Sequence, residues 1–319
     1  QLKEELKQAQ IGNRRFKIPL GTKIADNQVV KNDLFYTVLE KYLTNKGLSV
    51  SALNKFIRCP LDFYYTYICG LRDEEDVEEE IEDSSMGQIV HQVLEEIYSP
   101  LINQNLDCDF LKSQRSEVRK MTEYLFMKHL NQNELHGMNY LSKEIAITQI
   151  EKVLTSDIND LELGSTIQLL GTEEVVSVPF EYDHNKKAIP IKLNGTIDRI
   201  DKRNGTVRVM DYKTGSVSAE SVKSLNLFEL NEKSHKSLQL AYYCYLYGEL
   251  NPNAVVTSWI VAVKGSKQLY FQGKVDGLDT HGLAFRKPFS TALKGLLDEI
   301  MDPSKSLEHN SDSEYCKVC

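Results

Sequence analysis

Gly195-Thr196-Ile197-Asp198-Arg199-Ile200-Asp201, the turn Lys202-Arg203-Asn204-Gly205 and the run Val209-Met210-Asp211-Tyr212-Lys213-Thr214-Gly215 decide how this chain is read. Two strand-like runs joined by a short Asn-Gly turn form an antiparallel pair. That pairing brings Asp198 and Asp211 near one another at one end of a sheet face. Lys213, two residues beyond Asp211, lies on the same face as Asp211 because strand side chains alternate. Two carboxylates and an amine so grouped suit a hard divalent cation such as Mg²⁺, which keeps waters and substrate phosphate oxygens in its shell. The Lys is placed to orient or deprotonate an attacking water, or to stabilise charge on the phosphate. An isolated Asp-x-Lys triplet is ordinarily an exposed ion pair. Here Asp198 sits in an apolar strand beside a Gly, and Thr214-Gly215 ends the second strand, so the acids fall at a strand end.

The strand pattern extends outward from this hairpin. Ile167–Leu170, Val175–Tyr182, Ile189–Ile200 and Thr206–Tyr212 read as an antiparallel meander, with a second turn at Asp183-His184-Asn185-Lys186-Lys187. A helix over Ser237–Leu250 follows, then a strand over Ala254–Val263, a hairpin partner over Gln268–Val275 and a last helix over Phe285–Met301. Upstream, apolar residues recur at helical spacing: Ile89, Val93, Leu94 and Ile97; Leu125, Phe126 and Leu130; Ile147, Ile150, Val153 and Leu154. Residues 1–48 read as a helical lead whose helix spans Asn32–Leu43, and Ser49 or Ser51 caps the next helix. This order suggests an α/β or α+β sheet covered by helices, with a helical insertion ahead of it.

The chain has 319 residues, 38 Lys+Arg against 46 Asp+Glu, a net charge of −8 and 41% hydrophobic residues. No run of about 18 apolar residues is present, and the opening segment has no apolar stretch of signal-peptide type. We expect a cytoplasmic chain that is a piece of something longer. Residues 73–83 hold nine carboxylates, so the remainder carries +1, and the net charge neither supports nor excludes a nucleic-acid partner. That run reads as a solvated acidic loop without the spacing of a calcium loop. Six cysteines are too sparse for a disulfide scaffold; Cys69, Cys108 and Cys244 stand singly, and only Cys316-Lys317-Val318-Cys319 has metal-ligand spacing.

These motifs resemble the PD-(D/E)XK nuclease superfamily in its RecB/AddB-like branch. Gly195-x-x-Asp198-Arg199-x-Asp201 and Asp211-Tyr212-Lys213-Thr214-Gly215 are similar to that branch's two catalytic-strand motifs. Gly87-x-x-x-His91-x-x-Leu94-Glu95 resembles its upstream helix, Gln239-x-x-x-Tyr243 its later helix, and Ser51-Ala52-Leu53 through Cys59-Pro60-Leu61-x-Phe63-Tyr64-Tyr65 its first helix. The resemblance covers about residues 49–319. It implies an α/β fold with a restriction-endonuclease-like core, a mixed central sheet flanked by helices with a helical N-terminal half, the domain covering 49–319 with a helical insertion at about 99–165, and a Mg²⁺- or Mn²⁺-dependent deoxyribonuclease. His91, Asp198, Asp211 and the main-chain carbonyl of Tyr212 would bind the metal, with Asp198, Asp211 and Lys213 catalytic. Gln239, Tyr243 and Arg199 would contact nucleic acid or steady the site. It further implies DNA as substrate, a helicase or helicase-like region as partner, and a role in double-strand-break repair and recombination. A lone His on an apolar helix is ordinarily a satisfied His; the accompanying motifs are what turn His91 into a ligand.

Two departures matter. Ile197 stands where the superfamily's name has Pro. The branch's 4Fe-4S cluster uses four cysteines, and Cys59, Cys316 and Cys319 match only three of them, leaving the fourth ligand outside this chain. The alternative function is a catalytically silent DNA-binding or scaffold domain of a helicase-nuclease complex.

Overall fold

The computed structural model describes residues 7–11, 14–18, 28–71, 78–218, 222, 225–227, 229–264, 269–277 and 281–310. The lead is not wholly helical. Strands β1 (Lys7–Ile11) and β2 (Arg14–Ile18) pair as an antiparallel hairpin, and β3 (Gln28–Val29) pairs with a strand close to the far end of the described chain. The segment Lys-Gln-Ala-Gln-Ile carries no helical repeat of apolar residues, so nothing in it drives a helix onto a core. Helix α1 (Asp33–Asn45) is capped by the Asn32 side chain, which accepts from Phe35 N–H. Its Phe35, Leu39, Tyr42 and Leu43 are buried in the main core, so α1 packs as part of the nuclease-like body rather than as a separate lead.

After β4 (Leu48–Ser49), Ser49 caps α2 (Val50–Arg58), and α3 (Pro60–Phe63) runs into a π-helical turn at Tyr64–Ile68. Three helices follow: α4 (Asp83–Tyr98), α5 (Cys108–Leu130) and α6 (Gly137–Glu162). The acidic run is described from Glu78 onward, and there Glu78 is anchored rather than free. Its carboxylate accepts from Ser85 Oγ and Glu82 N–H and lies 3.4 Å from His129 Nε2. Two long strands, β5 (Ile167–His184) and β6 (Lys187–Arg203), and the shorter β7 (Thr206–Lys213) form the meander. Helix α7 (His235–Leu250) leads to β8 (Val256–Ala262) and β9 (Tyr270–Gly273), then to α8 (Leu283–Met301) and β10 (Leu307–Glu308), the partner of β3.

The sheet runs β4-β6-β7-β8-β9, with β5 on the other edge of β6. Pairing is mixed: β5-β6, β6-β7 and β8-β9 are antiparallel, and β4-β6 and β7-β8 parallel, the last joined by α7 as a crossover. Helices α1, α2, α7 and α8 bury their apolar residues against one face, and α4, α5 and α6 against the other. This is the three-layer α/β arrangement of a restriction-endonuclease-like fold. Two turns set its registers. Asn204 and Gly205 both have positive φ, as a two-residue hairpin turn needs, and lock Arg203 opposite Thr206; Asn185 and Lys186 do the same for His184 and Lys187.

Candidate active site

The site is a fork in the sheet. One edge of β6 pairs with β4 at Leu193 and Asn194, and with β7 only from Arg199 onward. Residues 195–198 therefore face a gap, and Asp198 and Asp211 are the first residues beyond the Arg199–Met210 pair. Past that point β7 continues alongside β8 while β6 continues alongside β5. The missing ladder bond is replaced by a side chain: Tyr212 N–H donates to Asp198 Oδ2 at 2.6 Å. Both aspartates are buried.

Helix α4 brings His91 to the fork. Its Nε2 donates to the Tyr212 carbonyl at 3.2 Å, and its Nδ1 lies 3.1 Å from Glu173 Oε1 and 3.7 Å from Asp198 Oδ2. Burial alone would lower the imidazole pKa. The Glu173 hydrogen bond and the Asp198 charge outweigh it and raise the pKa to about 9, so the cation-free ring is held protonated. Asp198 is shifted upward, first by burial and then by the neighbouring Asp211 charge, with His91 opposing both. Lys213 Nζ sits 3.0 and 2.8 Å from the two oxygens of Asp211. Burial disfavours its charge, but Asp211 prevails and the ammonium is held above its ordinary pKa.

Glu173 is the residue that the sequence reading missed. In the β5-β6 ladder it falls opposite Asp198, between the pairs Thr172–Arg199 and Glu174–Ile197. Its φ of 45° is left-handed, a conformation costly for a side chain without a local hydrogen-bonding alternative and characteristic of functional sites. One oxygen of Glu173, one of Asp198 and a ring nitrogen of His91 lie within 4.8 Å of one another. Counting back from the Asn185-Lys186 turn identifies the position, provided that Ile167–Leu170 and Val175–Tyr182 are read as one strand. They are one strand here, with an irregularity between Leu169 and Gly171.

The glycines of two motifs have steric causes. A Cβ on Gly195 would stand 3.0 Å from Tyr243 Cε1, and one on Gly87 would stand 3.0 Å from Thr214 Oγ1. The first lets α7 close onto the gap in β6, and the second lets α4 close onto the end of β7. Gly195→Ala is expected to cost about 1–3 kcal/mol by overpacking, readable as a lower urea midpoint. It should also displace Tyr243, whose hydroxyl accepts from Gln239 Nε2 at 3.0 Å. Gln239 and Tyr243 are thus linked one turn apart on α7, with Tyr243 buried beside Gly195 and its phenol kept neutral by burial, Asp211 and Asp198.

Arg199 is buried in ion pairs with Asp157 and Asp201 on the α6 side. Cys59 is buried at the end of α2 with Sγ 3.8 Å from His309 Nδ1, while Cys316 and Cys319 lie outside the described residues. Cys69, by contrast, is exposed. In front of the fork a cleft of about 560 Å³ opens between α4 and the end of β7, lined by Gln88, His91, Glu95, Glu173, Lys213 and Gly215 among others.

A forked mixed sheet presenting carboxylates and a charged lysine to an open cleft is the active-site plan of restriction-endonuclease-like nucleases. The chain belongs to the PD-(D/E)XK nuclease superfamily, whose family description matches residues 47–319. Two curated relatives, from Alkaliphilus oremlandii (strain OhILAs) and Alkaliphilus metalliredigens (strain QYMF), are each named as one subunit of an ATP-dependent helicase/deoxyribonuclease. Each is 27% identical over 171 residues, 49% of this chain and 14% of the relative. The match thus spans only a small part of either relative. A solved structure titled "Crystal structure of SSO0001" aligns over 63% of this chain and 92% of its own at 18% identity, with a TM-score of 0.26, too low to bear on the fold. Among the described residues no helix is long and apolar enough to cross a membrane.

Proposed function

We propose that this chain is a Mg²⁺- or Mn²⁺-dependent deoxyribonuclease that hydrolyses phosphodiester bonds. The observation that carries the reading is the convergence of His91, Glu173 and Asp198 at the fork, beside Asp211 with its Lys213. The donor set fits the ion: carboxylate oxygens, one imidazole and the Tyr212 carbonyl are ligands for a hard or borderline divalent cation, and the open cleft leaves room for waters and phosphate. His91, Asp198, Asp211 and the Tyr212 carbonyl would hold it, with Glu173 as a further carboxylate. Bound there, such a cation would polarise the scissile phosphate and lower the pKa of a water. It would also take the place of the proton on His91, so loading releases protons.

The chain's own groups divide the remaining work. Lys213, held as an ammonium by Asp211, stabilises negative charge on the phosphate rather than accepting a proton. Gln239 and Tyr243 keep the gap in β6 open to the required width. The names of the two relatives support a setting in which a helicase region delivers DNA to this domain; double-strand-break repair and recombination are the process in which we propose that it acts. A 4Fe-4S cluster is a different matter: Cys59, Cys316 and Cys319 are three thiolates, one fewer than the Cys₄ set needs, and no step depends on it.

The purified chain should cleave linear DNA labelled at either end when Mg²⁺ or Mn²⁺ is present, stop on addition of EDTA, and resume with excess Mn²⁺. Salt-dependent DNA binding with no cleavage in Mn²⁺ would instead identify a silent scaffold domain.

A further inference from the structure

On the face of β6 toward α6 lies a buried ionic cluster that the proposed reaction does not use. Arg199, adjacent to Asp198 in sequence, is 1% exposed, and its partners Asp157 on α6 and Asp201 on β6 are 0% exposed. Its Nη1 donates to Asp157 Oδ2 at 2.6 Å, and its Nε donates to Asp201 Oδ2 at 2.9 Å. Arg208 on β7, opposite Asp201, donates from Nε to Oδ1 at 2.7 Å and from Nη2 to Oδ2 at 2.8 Å. The Tyr98 hydroxyl donates to the same Asp157 oxygen at 2.6 Å, and the Arg199 guanidinium lies 4.7 Å above the Tyr98 ring.

Two guanidiniums and two carboxylates balance in charge, but balance does not explain their presence in a core. A buried ion-paired group is commonly no more stabilising than apolar side chains of the same volume. What it supplies is direction, because each hydrogen bond fixes one element against another. Here the bonds join α4, α6, β6 and β7 at a single point. Helix α4 is the one that matters for the site: Tyr98 is its last residue, and His91 lies seven positions earlier, two turns along the same face. His91 meets the edge of the Tyr212 ring at 5.7 Å, and Tyr212 follows Asp211 directly on β7. The Tyr98-Asp157-Arg199 chain therefore fixes how far along β6 the His91 helix lies.

We propose that Arg199 is a positioning residue: acting through Asp157 and Tyr98, it sets the placement of α4 over β6 and with it the spacing of His91 from Asp198. This rests on reading His91 and Asp198 as cation ligands. Orienting partners behind a ligand set typically change metal affinity by about 10–100-fold when removed.

The test is Mn²⁺ binding to the full chain, read by electron paramagnetic resonance of the free ion. It is done without DNA, beside thermal unfolding and the kcat and KM for DNA cleavage. Arg199→Met is expected to weaken Mn²⁺ by about tenfold or more, to leave KM for DNA unchanged, and to recover cleavage in excess Mn²⁺. Arg199→Lys should recover part of the affinity. Tyr98→Phe keeps the ring and removes only the hydroxyl link, so it keeps the test readable if Arg199→Met fails to fold, and it should weaken Mn²⁺ by a smaller factor. Folded variants with lower melting temperatures but wild-type Mn²⁺ affinity would overturn the positioning role and leave Arg199 as a core ion pair only. A wild-type chain that binds no Mn²⁺ would instead refute the ligand assignment on which the proposal stands.

Discussion

Replacing Asp198 by Asn should reduce DNA cleavage by about a thousandfold or more, the scale of several kcal/mol of charge stabilisation lost with the cation, while the protein stays folded. Asp198 stands at the centre of the fork, opposite Asp211 on one side and opposite Glu173 on the other, and 3.7 Å from the His91 ring. The amide is nearly isosteric and still offers an oxygen to Tyr212 N–H, so the local backbone keeps its hydrogen bond. Stability should move the other way from activity. Burial and the Asp211 charge both disfavour the ionised Asp198 carboxylate, so the cation-free protein folds against it. Asn removes that opposition, and a gain of about 1 kcal/mol in urea unfolding without added metal is the expected scale of such a trade of activity for stability. Cleavage within tenfold of wild type, measured with a folded variant, would remove Asp198 from the reaction.

How much of this site was legible in the sequence depended on how local the determining signal was. The Asn204-Gly205 turn lies six residues from Asp198 and six from Asp211, and a two-residue turn admits one register, so the pairing of the two acids followed from the turn itself. Lys213 followed from strand alternation, and the His91 helix from its apolar spacing. Glu173 did not follow, because Gly171-Thr172-Glu173-Glu174 looks like a break between two strands. The structure instead carries one strand through it with a left-handed residue. The surroundings of Arg199 were illegible for a different reason. A cation next to a nuclease acid suggests phosphate, yet its partner Asp157 lies 42 positions away on a helix whose own pattern gives no sign of which strand it covers. The hairpin of residues 7–11 and 14–18 was not legible either, since those segments carry no marked strand alternation. Short-range turn chemistry and periodicity were readable; pairings made across the layers of the fold were not.

Lys213→Met is expected to separate cation binding from chemistry. The ammonium is not a donor to a cation, and its removal takes a positive charge away from the carboxylates, so Mn²⁺ affinity should be unchanged or tighter. Cleavage should nevertheless fall by about 10²–10³-fold, the usual cost of deleting one preorganised donor to a developing oxyanion. The loss should appear in kcat with KM for DNA little altered, because the group acts on the reacting phosphate rather than on the length of the strand. Lys213→Arg then distinguishes the two roles open to a lysine. Arginine remains charged at every working pH, so partial activity in that variant means that the positive charge is the function. Complete loss in Arg equal to that in Met would point to a lysine that must give up its proton. The geometry favours the first outcome. With Asp211 oxygens at 3.0 and 2.8 Å the lysine is held protonated, and deprotonating it would leave Asp211 buried without its counter-ion.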